Sequence, residues 1–222
     1  RHLSGKWNMP PTLIDAASLH ESPIGMLRER KSDMQNIVTV ALANRLAHAL
    51  VSGDSGNARL LPYHEFASEL GLDHAAIDGI TTVALKKITD AKLFYASQSS
   101  QSFLDPLAVE LAQQAAVAPR VVVLGPESQA DPFSLFFKQL GWLQSERATA
   151  ALLFARSPID FKRYLRELQE LDAVCQRPIA LIVATTGDID AVPAEWSHGR
   201  QLETVSLPCG YSRLVEVIIR CS

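Results

Sequence analysis

Ala118-Pro119-Arg120-Val121-Val122-Val123-Leu124-Gly125-Pro126 decides the fold of this chain, because the hydrophobic period changes there. The run Val121–Leu124 is short, wholly apolar and closed by Gly-Pro, as a strand buried on both faces requires. Downstream the same pattern returns. Ala150–Ala155 and Ile179–Ala184 are further apolar runs, and Leu202–Leu207 suits a fourth strand. Helical stretches lie between and after them at Phe133–Leu140, Asp160–Leu171 and Tyr211–Arg220. Residues 142–147 offer an additional edge strand. Strands alternating with helices predict a small α/β domain with a mainly parallel sheet.

Upstream of Ala118-Pro119 the pattern is helical. Pro10 and Pro11 suit the approach to a helix and its first turn, where a missing N–H costs nothing. Leu13, Ile14 and Ala17 are the expected buried stripe of that helix. Ser32-Asp33 caps a long helix from about 34 to 51, with Val38, Leu42, Leu46, Ala49 and Leu50 on one face. The polar cluster Ser52-Gly53-Asp54-Ser55-Gly56-Asn57 ends it. A short helix follows over 63–70, and Asp73 caps a longer one whose stripe reads Ile77, Ile80, Ala84, Ile88, Ala91. Asp105-Pro106 opens another that runs to Ala116. The expected architecture is therefore α + α/β. An all-helical part spans 1–117, and the α/β domain spans 118–222.

The 222 residues are 47% apolar, enough for real cores and against disorder. The net charge of −3 is spread evenly, so the chain carries no nucleic-acid footprint. Cys175, Cys209 and Cys221 lack CxxC or Cys/His spacing, which argues against structural zinc and a disulfide framework. A reducing cytoplasm is the expected setting. No apolar run approaches a membrane span, so no membrane partner is expected.

Trp7, Met9-Pro10, a short helix, His20 and Pro23 together resemble one segment of the HDOD family, a mostly non-catalytic branch of the HD superfamily in bacterial signalling proteins. The family reads tryptophan, hydrophobic-Pro, short helix, His-His-x-Pro. Leu19 stands at the first histidine, His20 matches the second, and Pro23 sits one place late. The helix Ile37–Ala47, with Ala43-Asn44-Arg45-Leu46-Ala47, is similar to a second family segment, and Leu70-Gly71-Leu72-Asp73 to a third. The resemblance covers about residues 1–95 and the C-terminal part of such a domain.

Residues 118–222 resemble a degenerate response-regulator receiver in the order of their elements. Receivers place paired acids after strand one; here stands Leu124-Gly125-Pro126-Glu127. They place a phospho-accepting aspartate at the end of strand three; here stands Leu153-Phe154-Ala155-Arg156. Thr185 or Thr186 matches the hydroxyl residue after strand four, and Leu207-Pro208 replaces Lys-Pro after strand five. Mg²⁺ requires hard oxygen ligands, and aspartyl phosphorylation requires the carboxylate itself. The resemblance thus implies a receiver-like scaffold without receiver chemistry.

Other candidate positions read more simply as structure. HD hydrolases hold metal through histidines and a His-Asp pair, and no His-Asp dipeptide occurs. Asp73-His74 is the reversed pair and reads as a helix cap. His20 reads as a packed or half-exposed residue, with a relic metal ligand as the alternative. Asn44 reads as a core-edge asparagine, with a ligand contact as the alternative. Ser52-Gly53-Asp54-Ser55-Gly56 and Gly125-Pro126 lack the spacing of phosphate or dinucleotide loops. Thr185-Thr186-Gly187-Asp188 lies where open α/β sheets take ligands, but also suits a turn. Cys209 would be reactive only if exposed at a helix start. Phe133, Phe136, Phe137 and Trp142 read as core or as an interface anchor. Val215 and Ile219 exceed what one buried stripe of the last helix requires, and suggest a docking flank, although a helix wedged between two layers would also bury them.

No catalytic, cofactor-binding or metal-ligating residue is assigned, and no cofactor. The expected function is a non-catalytic bacterial signalling module that acts through a signalling protein partner or homo-oligomer. The alternatives are an HD-type metal-dependent phosphohydrolase whose catalytic half lies outside this sequence, or a nucleotide-sensing module.

Overall fold

The computed structural model describes residues 9–29, 34–51, 59–95, 110, 112–113, 115, 117–125, 127–144, 146–155, 158–186, 196 and 199–222. The expected cap at Ser32-Asp33, the turn cluster 52–57 and the helix start at Asp105-Pro106 lie outside them. The chain forms two compact units, Arg1–His48 with Pro62–Gln98, and Ala49–Leu61 with Ser99–Ser222.

The first unit is helical. It holds α1 (Pro11–Leu19), α2 (Ile24–Arg28), α3 (Met34–Val51, as far as His48), α4 (His64–Glu69) and α5 (His74–Tyr95). Pro11 starts α1, as its fixed φ favours. The buried position of α1 is Ala16, whereas Leu13 is 52% exposed and Ala17 is also exposed. The stripe expected at 13, 14 and 17 is thus displaced round the helix; nine residues are too few for the period to fix a face. α3 buries Ile37, Val38, Ala41, Leu42, Leu46, Ala49 and Leu50, as its spacing predicts.

Gly71 ends α4 with φ +68°, the left-handed position that glycine enters without a Cβ penalty. Leu72 N–H then donates to the Ala67 carbonyl at 2.9 Å, closing the helix end. Asp73 caps α5, its Oδ1 accepting from Ala76 N–H at 2.8 Å. The buried face of α5 runs through Ile77 and Thr81, while Ile80 is 44% exposed. The expected stripe departs at Ile80, whose place on the buried face Thr81 takes. The Thr81 hydroxyl donates to the Asp78 carbonyl at 3.0 Å, so the residue is buried with its polar atom satisfied.

The second unit is an α/β domain. Its sheet has the order β2 (Val121–Leu124), β3 (Ala150–Ala155), β4 (Ala180–Thr185), β5 (Leu202–Ser206), all parallel. The helices are α6 (Glu127–Leu140), α7 (Pro158–Cys175) and α8 (Tyr211–Cys221). Both α6 and α7 exceed their expected bounds. Pro158 opens α7, where a proline costs no hydrogen bond, and α6 carries Pro132 within it. The expected edge strand over 142–147 reduces to one parallel bridge, Val121 with Leu143. In chain order the sheet therefore runs 2-1-3-4-5, counting the segment at Leu143 as second.

Every residue of β3 and β4 is buried. The side chains alternate between two cores. Leu152, Phe154 and Ile182 join Phe133, Phe136, Phe137, Trp142, Leu214, Val217 and Ile218 on one face. Leu153, Ala155 and Val183 join Tyr164, Leu168 and Trp196 on the other. This two-sided burial is why the strands read as continuous apolar runs. A short antiparallel ladder joins β1 (Arg59–Leu60) to β6 (Cys209–Gly210), and Leu60 is wholly buried in the first of these cores.

Candidate functional site

Open α/β sheets take ligands beyond the carboxyl ends of their strands. β2 ends in Leu124 and Gly125. Gly125 has φ +114°, and a Cβ built there would lie 3.6 Å from the Tyr164 ring. Glycine thus serves the positive φ of the backbone turn, while the ring lies at a distance a Cβ would meet as ordinary contact. Tyr164 itself is 5% exposed. At the end of β3, Ala155 is fully buried and pairs in register with Thr185 of β4. Leu207 N–H donates to the Thr185 carbonyl at 2.6 Å, and Thr185 is buried. Thr186 is exposed. Leu124, Ala155, Tyr164 and Trp196 belong to one apolar cluster. The described part of this strand end is therefore filled by aromatic and methyl groups. Glu167 on α7 hydrogen-bonds the Gly125 backbone, which favours its charged form. Partial burial outweighs that and, with Glu170 nearby, lifts its carboxyl above the usual range.

A second group lies in the helical unit. Arg45 is 5% exposed, and its Nη1 donates to the His20 carbonyl at 2.8 Å and to the Ala41 carbonyl at 3.1 Å. Its guanidinium carbon sits 3.8 Å from the centroid of the Phe66 ring, a cation–π contact. Burial pushes the guanidinium down to about 10, against the pull of Glu21. His20 Nδ1 lies 2.9 Å from the Ala17 carbonyl, so this nitrogen carries the proton, and Nε2 stands 3.9 Å from Glu21 Oε1. His48 is half-buried, and burial is the first cause of its lowered pKa.

The sequence placed His20 but missed its link to Arg45. The available signal was an arginine among the apolar positions Ala41, Leu42, Leu46 and Ala49 of one helix. Asn44, beside it, is half-buried. Asp73 acts as a cap and His74 is exposed. Among the described residues, no group of three or more His, Cys, Asp and Glu is placed to hold a metal.

One expectation is corrected, and two conditional readings fall on the structural side. Val215 is fully buried and Ile219 packs against the core, so the flank of α8 is not an exposed surface; α8 shares one core cluster with the sheet and with Leu60 and Cys209, and so buries a wide apolar face. The aromatic patch is likewise core: Phe136 stacks on Tyr211 at 4.8 Å between centroids, and Trp142 is 4% exposed. Cys209 is buried, and burial pushes its thiol up to about 11, which removes the thiolate a nucleophile needs.

Another ion pair has a structural place. Arg200 Nη2 donates to Asp172 Oδ2 at 2.6 Å, while Asp172 Oδ1 accepts from Ile179 N–H at 2.9 Å. It pins the entry to β4.

The chain matches no family model, no curated protein and no solved structure. No helix among the described residues is long and apolar enough to cross a membrane.

Proposed function

We propose that the chain is a non-catalytic signal-transduction module that works by protein–protein interaction. It would join the C-terminal part of an HDOD-like domain to a degenerate receiver-like domain. One observation carries the reading: fully buried Ala155 stands where a receiver holds its phospho-accepting carboxylate, beside a glycine covered by Tyr164. The 2-1-3-4-5 order is that of one common doubly wound sheet, and supports a receiver-like scaffold.

A module without a reacting group acts through its surface. Large apolar side chains exposed on the helical unit include Leu13, Met26, Val40, Ile80 and Val83. Ile80 and Val83 are three residues apart on α5 and share a face. They are the preferred docking positions, for a signalling partner or for a second copy. The direct experiment is incubation of the full chain with a small phosphodonor and Mg²⁺, read by intact mass. Substitution of Ile80 and Val83 tests the docking surface.

A further inference from the structure

The α/β domain has a second kind of surface, charged where the exposed face of α5 is apolar. Its parallel strands all enter the sheet at one end. Thr149 N–H donates to the Arg120 carbonyl at 2.8 Å, and Ala180 N–H to the Thr149 carbonyl at 3.3 Å. Arg120, Thr149 and Ile179 therefore form one row just ahead of β2, β3 and β4. Arg147 stands two residues before Thr149, and Arg177 two residues before Ile179. The carboxyl ends of α7 and α8 reach the same end of the sheet: Asp172 Oδ1 accepts from Ile179 N–H, and the Arg220 carbonyl accepts from Gln201 Nε2. Helix carboxyl ends attract cations, which accounts for part of this basic charge. Part is also neutralised locally. Arg200 pairs with Asp172 at 2.6 Å, and Arg220 with Glu203 at 3.6 Å. Arg120, Arg147 and Arg177 pair with no carboxylate among the described residues. Arg147 and Arg177 are exposed and Arg120 is half-buried. Glu146, exposed beside Arg147, offsets one of the three. A chain of net charge −3 thus gathers unpaired guanidiniums at the entries of three adjacent strands.

We propose that the amino end of the sheet is a docking surface for an acidic segment of a partner protein, with Arg147 and Arg177 as its principal contacts and Arg120 behind them. Guanidinium forks match carboxylates in two-bond geometry, and those of Arg147 and Arg177 are free to do so. The acids interspersed at this end, Glu146, Asp172 and Glu203, decide between partners. They repel a continuous phosphate backbone or a layer of lipid headgroups. Separate aspartate or glutamate side chains meet the guanidiniums one at a time and pass between the acids.

The test is fluorescence anisotropy of a labelled peptide that alternates glutamate with serine. It is titrated with the full chain at about 50 mM salt and again at about 300 mM. Saturable binding is expected at the lower salt, and most of it is lost at the higher. Arg147→Gln combined with Arg177→Gln should weaken binding about tenfold. Arg166→Gln combined with Arg213→Gln removes the same charge from exposed positions of α7 and α8 and should leave binding unchanged. If the first pair of substitutions prevents folding, Arg177→Gln alone is measured, with about a threefold loss expected. Absence of binding at low salt overturns the proposal, and so does equal weakening by the two pairs. Tighter binding of phosphatidylserine vesicles or of a single-stranded oligonucleotide than of the peptide also overturns it, and assigns the surface to that other class.

Discussion

Arg45 donates from Nη1 to the main-chain carbonyl of His20, 25 residues away in sequence, at 2.8 Å. The same guanidinium lies over Phe66. One side chain therefore ties the turn after α1 to α3 and α4. A partly buried carbonyl that loses a charged donor bears part of its desolvation cost.

Arg45→Met should lower the unfolding free energy of the helical unit by about 2 kcal/mol, from the lost charge-assisted bond and ring contact. Arg45→Lys should recover part of that, because lysine keeps the charge but not the planar fork. Denaturant melts of both variants are the measurement. A loss under about 0.5 kcal/mol for Arg45→Met would place Arg45 with ordinary surface residues.

Thiol chemistry should separate the cysteines. Burial pushes both Cys209 and Cys221 up to about 11; for Cys221, Glu203 adds to this and Arg220 opposes it. Cys175 is half-buried. At about pH 8 a thiol reagent should label Cys175 in the folded chain first, and the other two on unfolding. Their labelling in the folded chain should quicken as pH rises toward 11. Equal rates for all three at pH about 8 would show that the α8 core opens readily.

Docking through α5 has its own test. Ile80 and Val83 are 44% and 54% exposed, so replacing both with serine should change stability by less than about 1 kcal/mol in total. Self-association, or retention of an identified partner, should weaken about tenfold, equivalent to about 1.4 kcal/mol. A folded variant with unchanged assembly and unchanged partner binding removes this face from the account.

The sheet was legible in the sequence because β3 and β4 are buried on both faces, and nothing polar interrupts Ala150–Ala155 or Ala180–Ala184. The helix starts at Pro11 and Asp73 were legible because each acts through its nearest neighbours. What escaped depends on contacts distant in sequence. Leu60 pairs with Cys209 across the chain, and no local pattern marks a two-residue strand. Val215 is a surplus apolar residue by local pattern alone, because Leu60, which shares its core cluster, lies far away in sequence. Arg45 carries no local mark of burial, yet it is buried by partners that lie in two other segments. Tyr164 closing over Gly125 was hidden for the same reason.

The central claim is the proposed receiver-like reading, in which buried Ala155 replaces a phospho-accepting carboxylate and the sheet end carries no phosphoryl chemistry. Intact mass of the full chain, after incubation with acetyl phosphate and Mg²⁺, tests it most directly. The predicted result is an unchanged mass. A gain of one acid-labile phosphoryl group would contradict the account and identify an acceptor carboxylate elsewhere in the chain.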